Sequence, residues 1–364
     1  MEKVKRVVAL DAFRGFTILM MILVNTPGSW AYVYPPFRHA EWHGCTPTDL
    51  VFPFFLFIVG VAMWFSFKAF DYKLNKKAAL KIIKRTLIIF AIGVGLKLYS
   101  MLLRENASFR LMGVLQRIAL AYGFAAILVL SLKKRSLIAT SAVLLLGYWF
   151  LLWVFGGDAP YALETNLARI IDLKIIGAKY LYTGEGIPFD PEGLLATIPS
   201  TVTVMLGYFT GQMVEQTTDR KKLVLKMALW GVLAIFIGLI WDMAFPINKK
   251  IWTSSYVIYT AGYALVILAL FVWLIDVKQY KKWAHPFIVY GMNPLAIYVL
   301  SGIWVITYFA ISIGGTNMYA WLYKSVFVPI AGNMNGSLLF GIFHIIIYWL
   351  IGLVLFKHKI FIKI

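Results

Sequence analysis

Residues 51–67 read VFPFFLFIVGVAMWFSF, an uncharged stretch of about the length that crosses a bilayer core as a helix. Apolar runs of similar length recur along the chain, without the period-two alternation that a membrane β-barrel requires. Hydropathy windows therefore predict an all-α polytopic membrane protein with about ten transmembrane helices. The predicted spans cover residues 7–27, 47–68, 79–99, 111–131, 136–155, 193–213, 222–245, 252–275, 285–312 and 337–356.

The composition excludes an ordinary soluble domain. Of the 364 residues, 61% are hydrophobic and 14% are charged, whereas a soluble domain has roughly 45–50% apolar and about 25% charged residues. The single cysteine, Cys45, excludes an intrachain disulfide and a cysteine-only metal site. The net charge of +19 does not indicate a nucleic-acid partner, because basic residues in a membrane protein report its topology.

The basic residues predict the orientation. If the amino terminus is cytoplasmic, most of the 35 Lys and Arg residues lie in cytoplasmic segments, as the positive-inside rule requires, and both termini are cytoplasmic. The opening MEKVKR resembles a signal peptide, but Asp11 and Arg14 interrupt the following apolar stretch and no small-x-small cleavage site follows. We interpret this segment as an uncleaved first span.

We expect a single transmembrane domain over residues 1–364, because no long linker, low-complexity tract or strong internal repeat divides the chain. Two extracytoplasmic loops, residues 28–46 and 156–192, are rich in aromatic and acidic side chains, respectively. Aromatic residues at a membrane edge usually anchor the protein there, although beside carboxylates and a histidine they also suit a sugar site. The apolar segment 318–331 is too short for a standard span, and we expect it to be re-entrant or interfacial.

Polar residues within the predicted spans are candidates for function, because their burial in a bilayer is costly. Asp11 and Arg14 lie three residues apart on one helix face and form either a structural ion pair or part of a site. Pro294 frees backbone groups that help to build a polar pocket in the ninth span. The remaining polar candidates are Asn25, Gln116, Arg117 and Asn293.

Metal and thiol chemistry are not expected. His39 and His43 are four residues apart, as in half of a zinc site, but no third ligand follows in a suitable pattern. Cys45 is a conceivable acyl carrier, yet no neighbour in the sequence would lower its pKa, so we expect an inert thiol. The nucleotide-binding and hydrolase motifs of soluble enzymes are absent from the sequence.

Two stretches, LDAFRGFTILMMILVN at residues 10–25 and FRHAEWHGCTPTDLVFPFFLFIVG at residues 37–60, resemble the transmembrane acyltransferase family of lysosomal heparan-α-glucosaminide N-acetyltransferase. The lysosomal enzyme has an additional lumenal domain and span, so we expect a bacterial homologue that lacks them. The resemblance covers nearly the whole chain in order. It continues through MGVLQRIALAY, FDPEGLLATIPS, NKKIWTSSYV, GMNPLAIYV and the final IFIKI.

The resemblance implies that an acetyl group moves from cytoplasmic acetyl-CoA to the amine of a glucosamine-type sugar on the extracytoplasmic side. The H-x-x-W-x-G-x-T motif of the family corresponds to His39, Trp42, Gly44 and Thr46, and its histidine is the catalytic one. The family also places an asparagine at the outer end of the first span in the reaction centre, and Asn25 stands at that position.

Two routes remain open for His39: it either acts as a general base toward the sugar amine or carries the acetyl group itself. Asn25 would stabilise the thioester oxygen as negative charge develops. We expect Arg14, Gln116, Arg117 and Asn293 to bind the co-substrate acetyl-CoA. The expected acceptor-binding residues are Trp42, Asp190, Glu192, Ser254, Ser255 and Tyr256. For Asp190 and Glu192 the alternative is a helix N-terminus with Pro191 at its first position.

The alternative function is a membrane transporter for an amino sugar or a related small solute, because broken helices and polar residues near the midplane also suit transport. Repeated halves, which are frequent in transporters, are not found in this sequence. Without a eukaryotic targeting signal, we expect a multi-pass protein in a bacterial inner membrane, with the lipid bilayer, acetyl-CoA and an amino-sugar acceptor as partners. A homodimer is compatible with the family, although no span carries a convincing G-x-x-x-G dimer face.

Overall fold

The computed structural model describes residues 7–104 and 108–362, and its regular elements are almost entirely helical. The all-α prediction is confirmed. Two short strands, β1 (Ser312–Ile313) and β2 (Thr316–Asn317), form an antiparallel pair. The predicted cytoplasmic termini fall partly on residues 1–6 and 363–364, which lie outside the described residues. The helices are α1 (Val8–Asn25), α2 (Val51–Phe67), α3 (Lys76–Leu103), α4 (Val114–Ser131), α5 (Lys134–Phe155), α6 (Leu167–Ile175), α7 (Thr197–Gln216), α8 (Arg220–Asp242), α9 (Ser254–Phe271), α10 (His285–Met292), α11 (Pro294–Ala310), α12 (Met318–Leu322) and α13 (Val328–Lys357).

Within the described residues, eight helices are long and apolar enough to cross a membrane, and a ninth is added when the bent pair α10–α11 is one span. The predicted span at 193–213 is not among them, although α7 lies there. Helix α7 runs parallel to α2 at very short range: a Cβ on Gly207 would lie 1.9 Å from the carbonyl oxygen of Phe57, and one on Gly211 would lie 2.6 Å from Cβ of Trp64. Because α7 is enclosed by other helices, it needs little lipid-facing apolar surface and carries several threonines instead.

The ninth predicted span is broken at Asn293, where α10 and α11 meet at a bend of 74°. The buried break packs tightly against α1, since a Cβ on Gly291 would lie 2.1 Å from the carbonyl oxygen of Asp11. Pro294 stands at the first position of α11, where its missing N–H needs no helical partner. The break is thus a fixed feature beside the first helix.

Helix α13 is broken at Gly332, and the apolar segment 318–331 folds back on the part of α13 that follows this break. The rings of Tyr319 and Phe340 are 4.7 Å apart, whereas 21 residues of straight helix would separate them by roughly 30 Å. The chain reverses at Gly332, whose φ of 72° favours glycine. The hydroxyl of Tyr323 donates a hydrogen bond to the carbonyl oxygen of Asn333 within this hairpin. The expected re-entrant or interfacial position of residues 318–331 in the membrane stays a prediction.

Candidate active site at the end of the α1–α2 loop

A buried carboxylate organises the loop between α1 and α2. Asp49 lies in the 3₁₀ turn Pro47–Leu50 that leads into α2, and it forms a capping box with Thr46. Its Oδ2 accepts hydrogen bonds from the backbone N–H of Ala40 at 3.0 Å and of Thr46 at 3.1 Å. The Tyr256 hydroxyl donates to the Asp49 carbonyl oxygen at 2.5 Å. These contacts fix the carboxylate with respect to both α2 and α9.

His39 is held by this carboxylate. Its Nδ1 lies 2.6 Å from Asp49 Oδ1, and the two side chains are 36% and 1% exposed, respectively. A carboxylate accepts hydrogen bonds, so this contact favours the tautomer with the proton on Nδ1 and leaves a lone pair on Nε2. The same arrangement of an oriented imidazole and a buried carboxylate operates in hydrolase triads.

A lysine from a second loop completes the cluster. Lys249 Nζ lies 3.3 Å from Asp49 Oδ1 and 3.0 Å from His39 Nδ1. With the proton of the imidazole on Nδ1, only the carboxylate oxygen can accept a hydrogen bond from this ammonium, and the closer Asp49 oxygen at 2.6 Å accepts the proton of Nδ1. Its loop is attached to the α1–α2 loop by the Gly44 N–H, which donates to the carbonyl oxygen of Ile247 at 2.7 Å. Gly44 has a φ of 100°, which a residue with a Cβ rarely adopts. The Lys249 ammonium therefore compensates the buried negative charge of Asp49.

A cavity of about 220 Å³, here called the outer cavity, opens beside His39 at this end of the bundle. The Trp42 indole N–H donates to the carbonyl oxygen of Tyr161 at 2.8 Å, which fixes the ring in the cavity wall. Lys250 Nζ lies 5.8 Å from the centre of that ring and 2.5 Å from Glu185 Oε2. The other lining residues are Ala40, Asp49, Arg110, Tyr182, Pro191, Glu192, Lys249 and Trp252. Aromatic rings beside paired charges suit a polar ligand with an apolar face.

A second cavity of about 120 Å³, the middle cavity, brings His39 and Asn25 to one space. His39, Glu192 and Lys249 line both the outer and the middle cavity. The other residues of the middle cavity are Met21, Val24, Thr48, Val51, Phe52 and Val114. The imidazole therefore stands at the junction between the two cavities.

A third cavity of about 240 Å³, the inner cavity, continues along the same helices. Phe52 lines the middle cavity and Phe55 lines the inner cavity on α2, and Val114 and Ile118 do so on α4. Each pair is about one helical turn apart on one face, so the cavities follow each other through the bundle. They form a line that starts at the loops carrying His39 and Lys249 and continues into the helical bundle.

Two arginines line the largely apolar inner cavity. Arg14 Nη1 donates to Asp11 Oδ1 and to the carbonyl oxygen of Gly291, both at 3.3 Å. The Arg85 guanidinium lies 4.6 Å from the centre of the Tyr122 ring, and its buried Nε has no acceptor among the described residues. This cavity can hold an anionic group next to an aliphatic chain.

Comparison with known proteins identifies the family of this chain. Residues 6–240 match the family model described as heparan-alpha-glucosaminide N-acetyltransferase, catalytic. The chain belongs to this family. Two curated relatives carry the name heparan-alpha-glucosaminide N-acetyltransferase: that of Homo sapiens is 28% identical over 351 residues, and that of Mus musculus is 29% identical over 352 residues. Both alignments cover 81% of this chain, but only 52% and 53% of the relatives, so the chain spans about half of their length. The resemblance inferred from the motifs is confirmed.

The family's D-P-E-G stretch lies at the wall of the outer cavity. Asp190 is fully engaged by Arg110, whose Nε and Nη2 donate to its carboxylate at 2.9 and 2.6 Å. Arg110 also binds Glu192, and the two carboxylates raise the pKa of its guanidinium against the opposing effect of burial. The alternative with Pro191 at the start of a helix is not what the structure contains, because α7 begins at Thr197. Glu192, which lines two cavities, is the more available acidic group.

Gln116 and Arg117 lie in the first turn of α4, and neither lines the inner cavity. Arg117 is fully buried and donates to the carbonyl oxygen of Gly193 at 2.8 Å. Its guanidinium also lies 5.6 Å from the Trp252 ring. Gln116 is buried against Gly93, where a Cβ would lie 2.6 Å from its Oε1. Arg117 thus packs against Trp252 in the wall of the outer cavity, whereas Gln116 packs against α3. The predicted contact of both side chains with acetyl-CoA stays a prediction.

The three candidates at the start of α9 are buried behind the cavity wall. Ser254 donates to the carbonyl oxygen of Leu145 at 2.7 Å, Ser255 contacts Thr253, and Tyr256 holds Asp49. None of the three lines the outer cavity. Their geometry indicates support of the site, and direct acceptor binding by them stays a prediction.

His43 and Cys45 flank the site without joining the His39 cluster. Burial lowers the pKa of His43, and burial together with Asp49 raises the pKa of Cys45 to about 12. A thiol with this pKa carries very little thiolate at neutral pH, which is unfavourable for acyl transfer. Among residues 7–104 and 108–362, no group of three or more His, Cys, Asp or Glu side chains could hold a metal ion.

Sequence reasoning missed four charged residues of this site: Asp49, Arg85, Arg110 and Lys249. The position of Asp49 is visible in the sequence, because T-P-T-D follows the histidine motif and reads as a capping box. In the sequence, the three basic residues indicate only membrane topology. Arg110 and Lys249 reach the outer cavity from loops that are far apart in the sequence, and Arg85 on α3 lines the inner cavity.

Proposed function

We propose that this chain is a transmembrane acetyltransferase that moves acetyl from cytoplasmic acetyl-CoA to the amine of a glucosamine-type sugar on the extracytoplasmic side. The observation that supports it best is the His39–Asp49 pair, at 2.6 Å, at the junction of two cavities that a third continues through the bundle. Family membership supports the reaction class. In this proposal the outer cavity receives the acceptor and the inner cavity receives the donor.

Acetyl-CoA fits the donor side chemically. Its phosphates require cations and its pantetheine arm requires an apolar channel, and the inner cavity offers Arg14 and Arg85 beside aliphatic side chains. The acetyl thioester would then reach the middle cavity, which Asn25 and His39 share. The Asn25 amide is a suitable donor to the thioester oxygen, and a good donor of this kind contributes roughly 3–4 kcal/mol.

His39 would act at Nε2, because Nδ1 faces Asp49. The sugar ammonium first loses one proton to water, because a protonated amine has no lone pair. As a general base, Nε2 then takes a second proton from the neutral amine while its nitrogen attacks the thioester carbonyl carbon. The C–N bond forms, the C–S bond breaks, and the imidazolium returns the proton to the thiolate of CoA. As an acetyl carrier, Nε2 would attack the same carbon, the C–S bond would break, and CoA would leave as the thiolate. In a second step the neutral amine would attack the acetyl carbon, the C–Nε2 bond would break, and the freed Nε2 would take the proton of the amine. Asp49 stabilises the positive ring in either route.

The acceptor side combines Trp42 with Glu185 and Glu192 in the outer cavity. An aromatic ring contacts the apolar face of a sugar, and a carboxylate such as Glu192 attracts its ammonium group. The distribution of basic residues supports a cytoplasmic donor side. We therefore propose a bacterial inner membrane with the acceptor in the periplasm.

The test uses the purified protein with radiolabelled acetyl-CoA and glucosamine. His39→Ala should abolish acetyl transfer, whereas His43→Ala, a matched change in the same loop, should retain it. Folding of both variants is checked by size-exclusion chromatography. If wild-type protein transfers no acetyl group and binds no acetyl-CoA, the proposal fails and a transporter becomes the better account. Equal activity in His39→Ala and wild type would remove His39 from the mechanism.

A further inference from the structure

The segment after α13, residues 358–362, is here called the tail, and it returns to the break between α10 and α11. It turns at Lys359, which has a φ of 56°. The Asn293 side chain is fully buried and bonds this tail twice: Nδ2 donates to the carbonyl oxygen of Ile360 at 2.9 Å, and Oδ1 accepts from the N–H of Ile362 at 2.8 Å. The tail backbone therefore satisfies both the N–H and the oxygen of the amide. The two bonded residues are two positions apart, as are the bonded residues of one strand in a β-sheet.

This tail reaches the inner cavity. Ile362 lines the cavity together with Pro294 and Leu295, which directly follow Asn293. Two residues before Asn293, the carbonyl oxygen of Gly291 accepts a hydrogen bond from Arg14, which also lines this cavity. The same helix break thus positions one cation and one apolar wall of the inner cavity.

The tail is held by hydrogen bonds more than by burial. Ile360, Phe361 and Ile362 are 47%, 37% and 52% exposed, respectively. Apolar side chains with this exposure gain little from their present packing, so a ligand with apolar surface in the inner cavity would gain by contacting Ile362. Asn293 keeps the tail where that contact is available.

We propose that Asn293 is a positioning residue for acetyl-CoA, which acts by holding Ile362 as a wall of the inner cavity. This inference rests on the proposed function. It replaces a direct contact of Asn293 with CoA by an indirect one, since both ends of the amide bind the tail. It predicts an effect on the donor substrate alone, because the outer cavity contains neither residue.

The experiment measures steady-state kinetics of the purified protein with each substrate varied in turn. Asn293→Ala and Ile362→Ala should each raise KM for acetyl-CoA, by roughly fivefold or more for the loss of one apolar contact, and leave KM for glucosamine and kcat unchanged. Val354→Ala, an exposed substitution on α13, is the control and should match wild type.

If Asn293→Ala fails to fold, Ile362→Ala decides, because its side chain is half exposed. An unchanged KM for acetyl-CoA in folded Ile362→Ala overturns the inference while the wild type stays active. A change in KM for glucosamine of the same size also overturns it. An inactive wild type would instead refute the proposed function, so the two failures are distinguishable.

Discussion

Asp49→Asn is the most informative substitution, because it keeps the shape of the side chain and changes only its hydrogen bonding and charge. Oδ2 faces two backbone N–H groups and the Thr46 hydroxyl, so the single oxygen of asparagine is required there. The new NH₂ group then faces His39 Nδ1, where the carboxylate lay at 2.6 Å. A donor at this position favours the tautomer with the proton on Nε2 and removes the lone pair that the reaction needs.

The corresponding substitution in a hydrolase triad lowers kcat by about 10⁴. We expect a loss of about 10²–10⁴ in kcat here, equivalent to roughly 3–5 kcal/mol of activation free energy. The assay is acetyl transfer to glucosamine at saturating acetyl-CoA. Glu41→Gln removes an exposed carboxylate from the same loop and serves as the control. A folded Asp49→Asn protein with kcat within threefold of wild type would refute the assigned role of the His39–Asp49 pair.

Three further predictions concern the donor side, the outer loop and the helix packing. Arg85→Gln should weaken acetyl-CoA binding by about tenfold in calorimetry, because a charge-assisted contact in the inner cavity is lost. Lys84→Gln, on the exposed side of α3, is the control and should bind acetyl-CoA as wild type does. Equal affinities of Arg85→Gln and wild type would contradict the assignment of the inner cavity to the donor. Burial raises the pKa of Asp172 to about 7 from an ordinary 3.8, so the folded state binds the proton more tightly. The free energy of unfolding should therefore fall as pH rises from about 4 to about 7, by up to about 4 kcal/mol, and thermal unfolding of Asp172→Asn at several pH values should lack this slope. Gly207→Ala should reduce the yield of monodisperse protein in size-exclusion chromatography, because its Cβ would lie 1.9 Å from a backbone carbonyl oxygen of α2. Gly147→Ala is the control: its Cβ would meet nothing within 4 Å, and the variant should behave as wild type.

The helical fold could be predicted where helices face lipid, because contact with acyl chains demands continuous apolar sequence. That reasoning weakens for α7, whose side chains meet other helices and so include Thr201, Thr203 and Thr210. It also could not find the reversal at Gly332, which depends on a left-handed φ and on packing of Phe327 against α13. Hydropathy indicates whether a segment is surrounded by lipid or by water, but it does not show where the chain reverses its direction.

The candidate site was partly predictable for a related reason. His39 and Asn25 stand in motifs that the resemblance identifies, and the structure brings both to the middle cavity. Asn293 and Arg117 were singled out because they are polar within spans, yet their contacts are with the protein backbone. Lys249 was not singled out, because its contact with Asp49 joins loops 200 residues apart. Local sequence identifies chemically unusual residues, whereas their partners emerge only from tertiary structure.

The central claim is that acetyl passes between two sides of the membrane at His39. The most direct measurement uses sealed proteoliposomes of uniform orientation, with radiolabelled acetyl-CoA on the side of the basic loops and glucosamine only on the other side. The account predicts labelled N-acetylglucosamine on the acceptor side with wild-type protein and none with His39→Ala. If product forms only when both substrates are on the same side, or forms equally with His39→Ala, the account is contradicted.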